Sequence, residues 1–174
     1  MPKEIWEIEE REPTERELLF AESRKRFDKD LKRIDDMILT VLKAQIVAER
    51  SMIALLEAYG RDPKHFFFTR DKIKECKRID PREVEQSIWG LLSKCSHVRN
   101  ELAHSLDNER IKILSEDVRE AYILLNETER EKQAVRDMTH TQVLMSAIFY
   151  CDMFIMLAID AKVAANERAR TTPG

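Results

Sequence analysis

The sequence predicts an all-α fold, and three observations carry that prediction. Charged residues fill 36% of the 174 positions and hydrophobic residues 43%, the mix of helices with one buried and one solvated face. Three glycines and five prolines are too few for the many tight turns of an all-β chain. Apolar residues recur in steps of three, four and once seven, as in Phe27, Leu31, Ile34, Ile38, Leu42, Ile46, Ile53 and Leu56, which is the spacing of one helix face.

The elements follow in order. The N-terminus, MPKEIWEIEEREPTERE, is acidic and has no apolar run of its own, so it predicts a weakly ordered start and neither a signal nor a transit peptide. Residues 1–26 read as an acidic, partly helical extension, and 27–170 as the main helical domain. The helical pattern spans Thr14 to Tyr59, with Gly60 as its stop. A single helix of that length would approach 70 Å at ~1.5 Å per residue, so a break is expected near Phe27–Asp30. A loop, GRDPKHFFF, precedes a short helix capped by Thr69 and ending near Ile79. Asp80-Pro81-Arg82-Glu83 then reads as a cap, a first-turn proline and an N-terminal glutamate, opening a helix to about His104. Ser105-Leu106-Asp107-Asn108 is a turn. Ser115-Glu116-Asp117 starts a helix to about Arg130, and NETEREKQAVRD is a charged helix or a linker. A long last helix covers roughly Thr139 to Glu167, followed by a fraying ARTTPG tail.

Several function classes are disfavoured by composition. Net charge is −3 with a pI of about 5.9, so contact with nucleic acid would be local rather than spread over the surface. Cys76, Cys95 and Cys151 form no CxxC pair and no Cys/His cluster, which predicts reduced thiols in the cytoplasm and neither metal nor cofactor. The most apolar run, Val143 to Ile159, is short of the ~20 residues of a membrane span and holds Asp152 near its middle. It is expected to be a buried core helix.

The most unusual stretch is His97-Val98-Arg99-Asn100-Glu101-Leu102-Ala103-His104. At ~100° per residue, Leu91, Cys95, Val98, Leu102 and Leu106 form one apolar stripe. His97, Asn100 and His104 share a face pointing away from it, with Arg99 at the edge. A solvated surface is the simple reading of that face. Its composition argues otherwise: it carries groups that donate hydrogen bonds and titrate near neutrality, where the rest of the chain uses Lys and Glu.

Arg99-Asn100-Glu101-Leu102-Ala103-His104 resembles the signature of the HEPN superfamily: an arginine, four to six residues, then a histidine, often with a polar residue directly after the arginine. The preceding Ser87-Ile88-Trp89-Gly90-Leu91-Leu92 and the following Ser115 to Leu125 fit that family's helical surroundings, and the resemblance covers about Phe27 to Leu125. It implies a HEPN-like helical bundle, here with an extra long C-terminal helix. Many members are metal-independent endoribonucleases of toxin or defence type with a site composed across a dimer. Others are non-catalytic and bind nucleotides or partner proteins.

Under the first reading Arg99, Asn100 and His104 are the catalytic set. Histidine serves proton transfer to and from the 2′-hydroxyl and 5′ oxygen, arginine's fork stabilises the phosphorane oxygens, and asparagine orients the hydroxyl. His97 and His104 stand ~10 Å apart along one helix, too far to serve both ends of one displacement. A homodimer supplying one His104 from each copy is therefore expected. His97 then has a supporting role or is a plain surface residue. Residues 61–78 hold seven Lys/Arg against three Asp/Glu, with Arg61, Lys64, Arg70 and Lys72 as candidate RNA contacts. Phe66, Phe67 and Phe68 either anchor the loop in the core or stack on bases. Under the second reading the chain is a non-catalytic module for a nucleotide or for a partner protein such as an antitoxin.

Overall fold

The first helix, α1 (Glu15–Ala58), opens on a reciprocal cap. The Thr14 amide donates to the Glu17 carboxylate at 2.8 Å, and the Glu17 amide donates to the Thr14 hydroxyl at 3.4 Å. Two N–H groups that have no partner inside the helix are thereby satisfied. The far end closes on Gly60, whose φ of +69° is left-handed backbone. The Gly60 amide bonds to the Glu57 carbonyl and the Arg61 amide to the Leu56 carbonyl, both at 2.9 Å. This is the Schellman pattern that glycine permits at lowest cost. The break expected near Phe27–Asp30 does not occur. No glycine or proline falls between Thr14 and Tyr59, so nothing interrupts the hydrogen-bond ladder.

The computed structural model describes residues 12–80, 84–105 and 107–171, without the side chains of 30–36. Its two compact units are Met1–Asp36 and Met37–Gly174. In the first, every residue from Glu12 to Lys29 is exposed.

The second unit is a helical bundle with no strand among the described residues. A 3-10 turn (Pro63–His65) leads to α2 (Thr69–Ile79), α3 (Gln86–His104), α4 (Asn108–Leu124), α5 (Glu129–Asp137) and α6 (His140–Thr171). Helix α3 lies at the centre, packed on α2, α4 and α6. It buries Ile88, Trp89, Leu91, Leu92, Cys95, Val98 and Leu102. Val41, Met52, Leu55 and Leu56 of α1 and Val143, Leu144, Ile148 and Ile155 of α6 complete the core.

Three helix starts differ from expectation. Thr69 does not cap α2: it is the first residue of the helix, Phe68 holds the cap position without a side-chain bond, and the Thr69 hydroxyl turns to Glu49 instead. Asp80 ends α2 rather than starting α3. It is buried, and its carboxylate accepts from the Tyr59 hydroxyl at 3.1 Å. Helix α3 starts at Gln86, and Pro81, Arg82 and Glu83 lie outside the described residues. Helix α4 begins at Asn108, because Asp107 accepts from the Glu109 and Arg110 amides, both at 3.1 Å. Ser115 therefore sits inside α4, where its hydroxyl donates back to the Ile111 carbonyl at 2.7 Å. The NETEREKQAVRD stretch holds α5, opened by a capping box between Thr128 and Glu131.

Helix α6 is the one described helix long and apolar enough to cross a membrane. In the bundle it is a core helix on one face only. Val143, Leu144, Ala147, Ile148, Cys151, Ile155 and Ala158 are buried, while Phe149, Met153, Met156 and Leu157 are exposed.

Three outcomes follow from these contacts. Gly90 lies inside α3, and a Cβ there would meet nothing within 4 Å. Gly90→Ala is expected to raise stability by about 0.5–1 kcal/mol through lower unfolded-state entropy and better helix propensity, read as a higher urea midpoint. Burial pushes the thiols of Cys76 and Cys151 up to about 12, and that of Cys95 well above its ordinary value. A maleimide dye should therefore leave the native protein unlabelled and label all three thiols in denaturant. Labelling of any cysteine in the native state would contradict the packing.

The third outcome concerns acid. The Glu116 carboxylate of α4 meets His140 Nε2 at 2.7 Å and Arg119 Nε at 2.9 Å. His140 foremost, then Arg119, holds Glu116 below its ordinary 4.5 against the opposing effect of burial. A carboxylate depressed in the folded state favours folding above 4.5. That stability is lost as pH falls through the lower folded value. Melting temperatures measured against pH should fall less steeply below 4.5 in Glu116→Gln than in the parent.

Candidate functional site

Helix α3 carries the motif as a two-sided element. Leu91, Cys95, Val98 and Leu102 are buried on one side, and His97, Asn100 and His104 are exposed on the other. Arg99 is half-buried at the edge. Its Nη1 donates to Asn100 Oδ1 at 3.0 Å, which occupies the amide oxygen and leaves the Asn100 amino group to donate outward. Arg99 Nε is buried without a hydrogen-bond partner among the described residues. A buried donor left unmet costs about 1–3 kcal/mol, the kind of local expense that functional sites tolerate.

Beside this face opens a cavity of about 490 Å³. Helix α3 lines it with Ser93, Ser96, His97, Arg99 and Asn100. The opposite wall is Phe67 and Phe68, then Thr69, Arg70 and Ile73 of α2, with Glu49 of α1. Phe67 and Phe68 are 83% and 70% exposed, whereas Phe66 packs against the core. The triple-phenylalanine loop thus places one ring against the core and leaves two in solvent.

Buried polar contacts hold the walls. Behind His97, the Gln45 amide of α1 donates to the Ser96 hydroxyl at 3.1 Å. The Thr69 hydroxyl donates to Glu49. Lys72 is buried; its Nζ donates to the Phe67 carbonyl at 3.2 Å and lies 3.7 Å from Glu49. Lys72 thus secures the phenylalanine segment from inside and neutralises Glu49. The cavity's cationic side chains are then Arg70 and Arg99.

The other candidates lie apart. His104 ends α3 and does not line the cavity; it stands seven residues, ~10 Å, beyond His97 along the axis. Its turn is fixed by Glu101, whose carboxylate pairs with the Arg110 guanidinium of α4 at 3.0 Å and accepts from the Ser105 hydroxyl. Arg61 pairs with Glu75 at 3.5 Å, and Lys64 is exposed on the 3-10 turn. Neither lines the cavity. One protomer therefore brings His97, Arg99, Asn100 and Arg70 to one place and leaves His104, Arg61 and Lys64 outside it.

Glu49, Gln45, Ser93 and Ser96 were not singled out from sequence. Gln45 had a usable signal: it is the polar residue in the stripe Val41, Gln45, Ala48, Met52, and a polar group on a buried stripe needs a partner. Compared with family models, curated proteins and solved structures, the chain matches none.

Proposed function

We propose that the protein is a HEPN-type, metal-independent endoribonuclease of the cytoplasm, of toxin or defence type, acting on single-stranded RNA as a homodimer. The observation that carries this reading is Arg99 and Asn100 of α3 lining a cavity walled by two exposed phenylalanines, with His104 exposed further along the same helix. Exposed aromatic rings next to guanidinium groups suit unpaired bases joined to phosphates. Arg99 and Arg70 meet the backbone, and Phe67 and Phe68 offer faces for stacking.

In the reaction, the 2′-hydroxyl attacks the adjacent phosphorus and the 5′ oxygen leaves. One imidazole takes the hydroxyl proton and another returns a proton to the leaving oxygen. His104 from each of two copies supplies the pair. Arg99 donates to the non-bridging oxygens as charge builds there, and the Asn100 amino group holds the attacking hydroxyl or a phosphate oxygen. His97, within the cavity of its own protomer, contacts the flanking nucleotide.

A second reading is a non-catalytic module that binds a nucleotide or a partner protein such as an antitoxin. It is favoured by the net charge of −3 and by the distance of His104 from the cavity. Incubating the purified chain with single-stranded RNA in EDTA separates the two. Fragments ending in cyclic phosphate support the ribonuclease, and intact RNA at dimeric protein concentrations removes it. A melting shift on adding mononucleotide without cleavage favours the module.

A further inference from the structure

The N-terminal unit presents an apolar stripe that the RNA chemistry does not use. Leu19, Phe20 and Phe27 are 60%, 75% and 65% exposed. With Arg16, Ser23 and Arg24 they line an open groove along α1. At ~100° per residue, Leu19, Ser23, Phe27 and Phe20 fall within a sector of about 100°, and Leu18 falls on the opposite side. A helical stretch that buries no face draws no stability from packing, and two phenylalanines on one exposed face mark an interaction surface.

The charges say what covers it. Residues 12–22 carry Glu12, Glu15, Glu17 and Glu22 against Arg16. Residues 24–29 carry Arg24, Lys25, Arg26 and Lys29 against Asp28. The segment is acidic at one end and basic at the other, with Ser23 between. Its internal ion pairs, Arg26–Glu22 at 3.6 Å and Arg24–Asp28 at 3.9 Å, are exposed; such pairs contribute little and leave the polarity in place. A parallel copy would set acid against acid and base against base. An antiparallel copy sets each acidic half along a basic half and places Leu19 opposite Phe27 of the second copy. Such self-complementarity is what an isologous two-fold contact requires.

We infer that residues 15–29 of α1 pair antiparallel with the same segment of a second copy, with Ser23 on the two-fold axis. The contact uses no residue of α3, so a loss of trapping at 23 leaves the ribonuclease reading standing, whereas a monomeric mass would also remove that reading's homodimer.

The test is disulfide trapping in the full chain. The native thiols are buried and do not compete for a surface cysteine. Under mild oxidation Ser23→Cys is expected to give a cross-linked dimer in most of the protein. Arg16→Cys, on the same stripe, is expected to give almost none, because antiparallel pairing holds its two copies about 20 Å apart. Leu18→Cys, on the opposite side, is the background control. Reversing Glu15, Glu17 and Glu22 to Lys in the Ser23→Cys chain should lower the cross-linked fraction several-fold. Adding Arg24→Glu, Lys25→Glu and Arg26→Glu should restore it. Equal trapping at 16 and 23 means parallel pairing and overturns the inference. So does a monomeric mass by light scattering with no trapping at 23, which leaves the stripe to a different protein. Failure of the second charge reversal to restore trapping overturns it as well. RNA cleavage is not read in any arm, so an inactive protein leaves the result intact.

Discussion

His104→Ala and Arg99→Ala are each expected to lower the proposed cleavage of single-stranded RNA by about 10²–10⁴-fold, the range in which a positioned proton donor or charge stabiliser acts, with helical content unchanged. His104 is exposed, so its removal opens no cavity. Arg99 buries an Nε that has no partner among the described residues, so truncation relieves an unmet donor instead of creating one. Arg99→Lys keeps the charge and loses the planar fork, and is expected to fall close to alanine in kcat. Single-turnover cleavage in EDTA, with circular dichroism of the same samples, checks all three. Parental rates in His104→Ala would remove the composite site from consideration, and parental rates in Arg99→Ala would remove the phosphorane contact.

The largest effect on stability is expected at Trp89. Its ring is fully buried on the helix that carries the motif. Trp89→Ala leaves a cavity that close-packed neighbours fill only in part, at about 3–5 kcal/mol. For a chain of this size that is a fall in melting temperature of roughly 6–20 °C. Trp89→Phe is expected to cost well under half as much. It keeps most of the aromatic volume and removes an indole N–H that has no partner among the described residues. Differential scanning calorimetry compares the two variants. Equal losses would show that the polar edge of the ring, and not its volume, holds α3 in place.

Some of this fold could be read from the sequence. The start at Thr14 and the glycine at 60 bracket α1, because helix-end signals act within a few residues. The two sides of α3 were legible from apolar spacing, but the stripe read on α1 was not its buried face: Ile46 is exposed, and Val41, Ala48 and Met52 are buried instead. The missed helix starts had different causes. Asp80 has the chemistry of a helix cap, but the Tyr59 hydroxyl engages it. Ser115 has the same chemistry but lies one helical turn past a buried Ile111, and Asp107 had already started the helix. Lys72 is a basic residue in a basic stretch, and only the tertiary structure shows its ammonium beside Glu49. The cavity was invisible from sequence because its walls come from three helices. The placement of His97 within it, with His104 outside, reverses the prominence the motif alone gives them.

The Gln45–Ser96 hydrogen bond bears on how sharply the motif is aimed. Greasy contacts between helices tolerate small rotations and slides, because one methyl substitutes well for another. The buried Gln45 amide donating to the Ser96 hydroxyl at the cavity wall does not: turning α3 by one residue would strand the Gln45 amino group away from water, at about 1–3 kcal/mol. This contact works as an indexing pin. It admits one azimuth of the helix, and therefore one direction in which the neighbouring His97 and Arg99 can point.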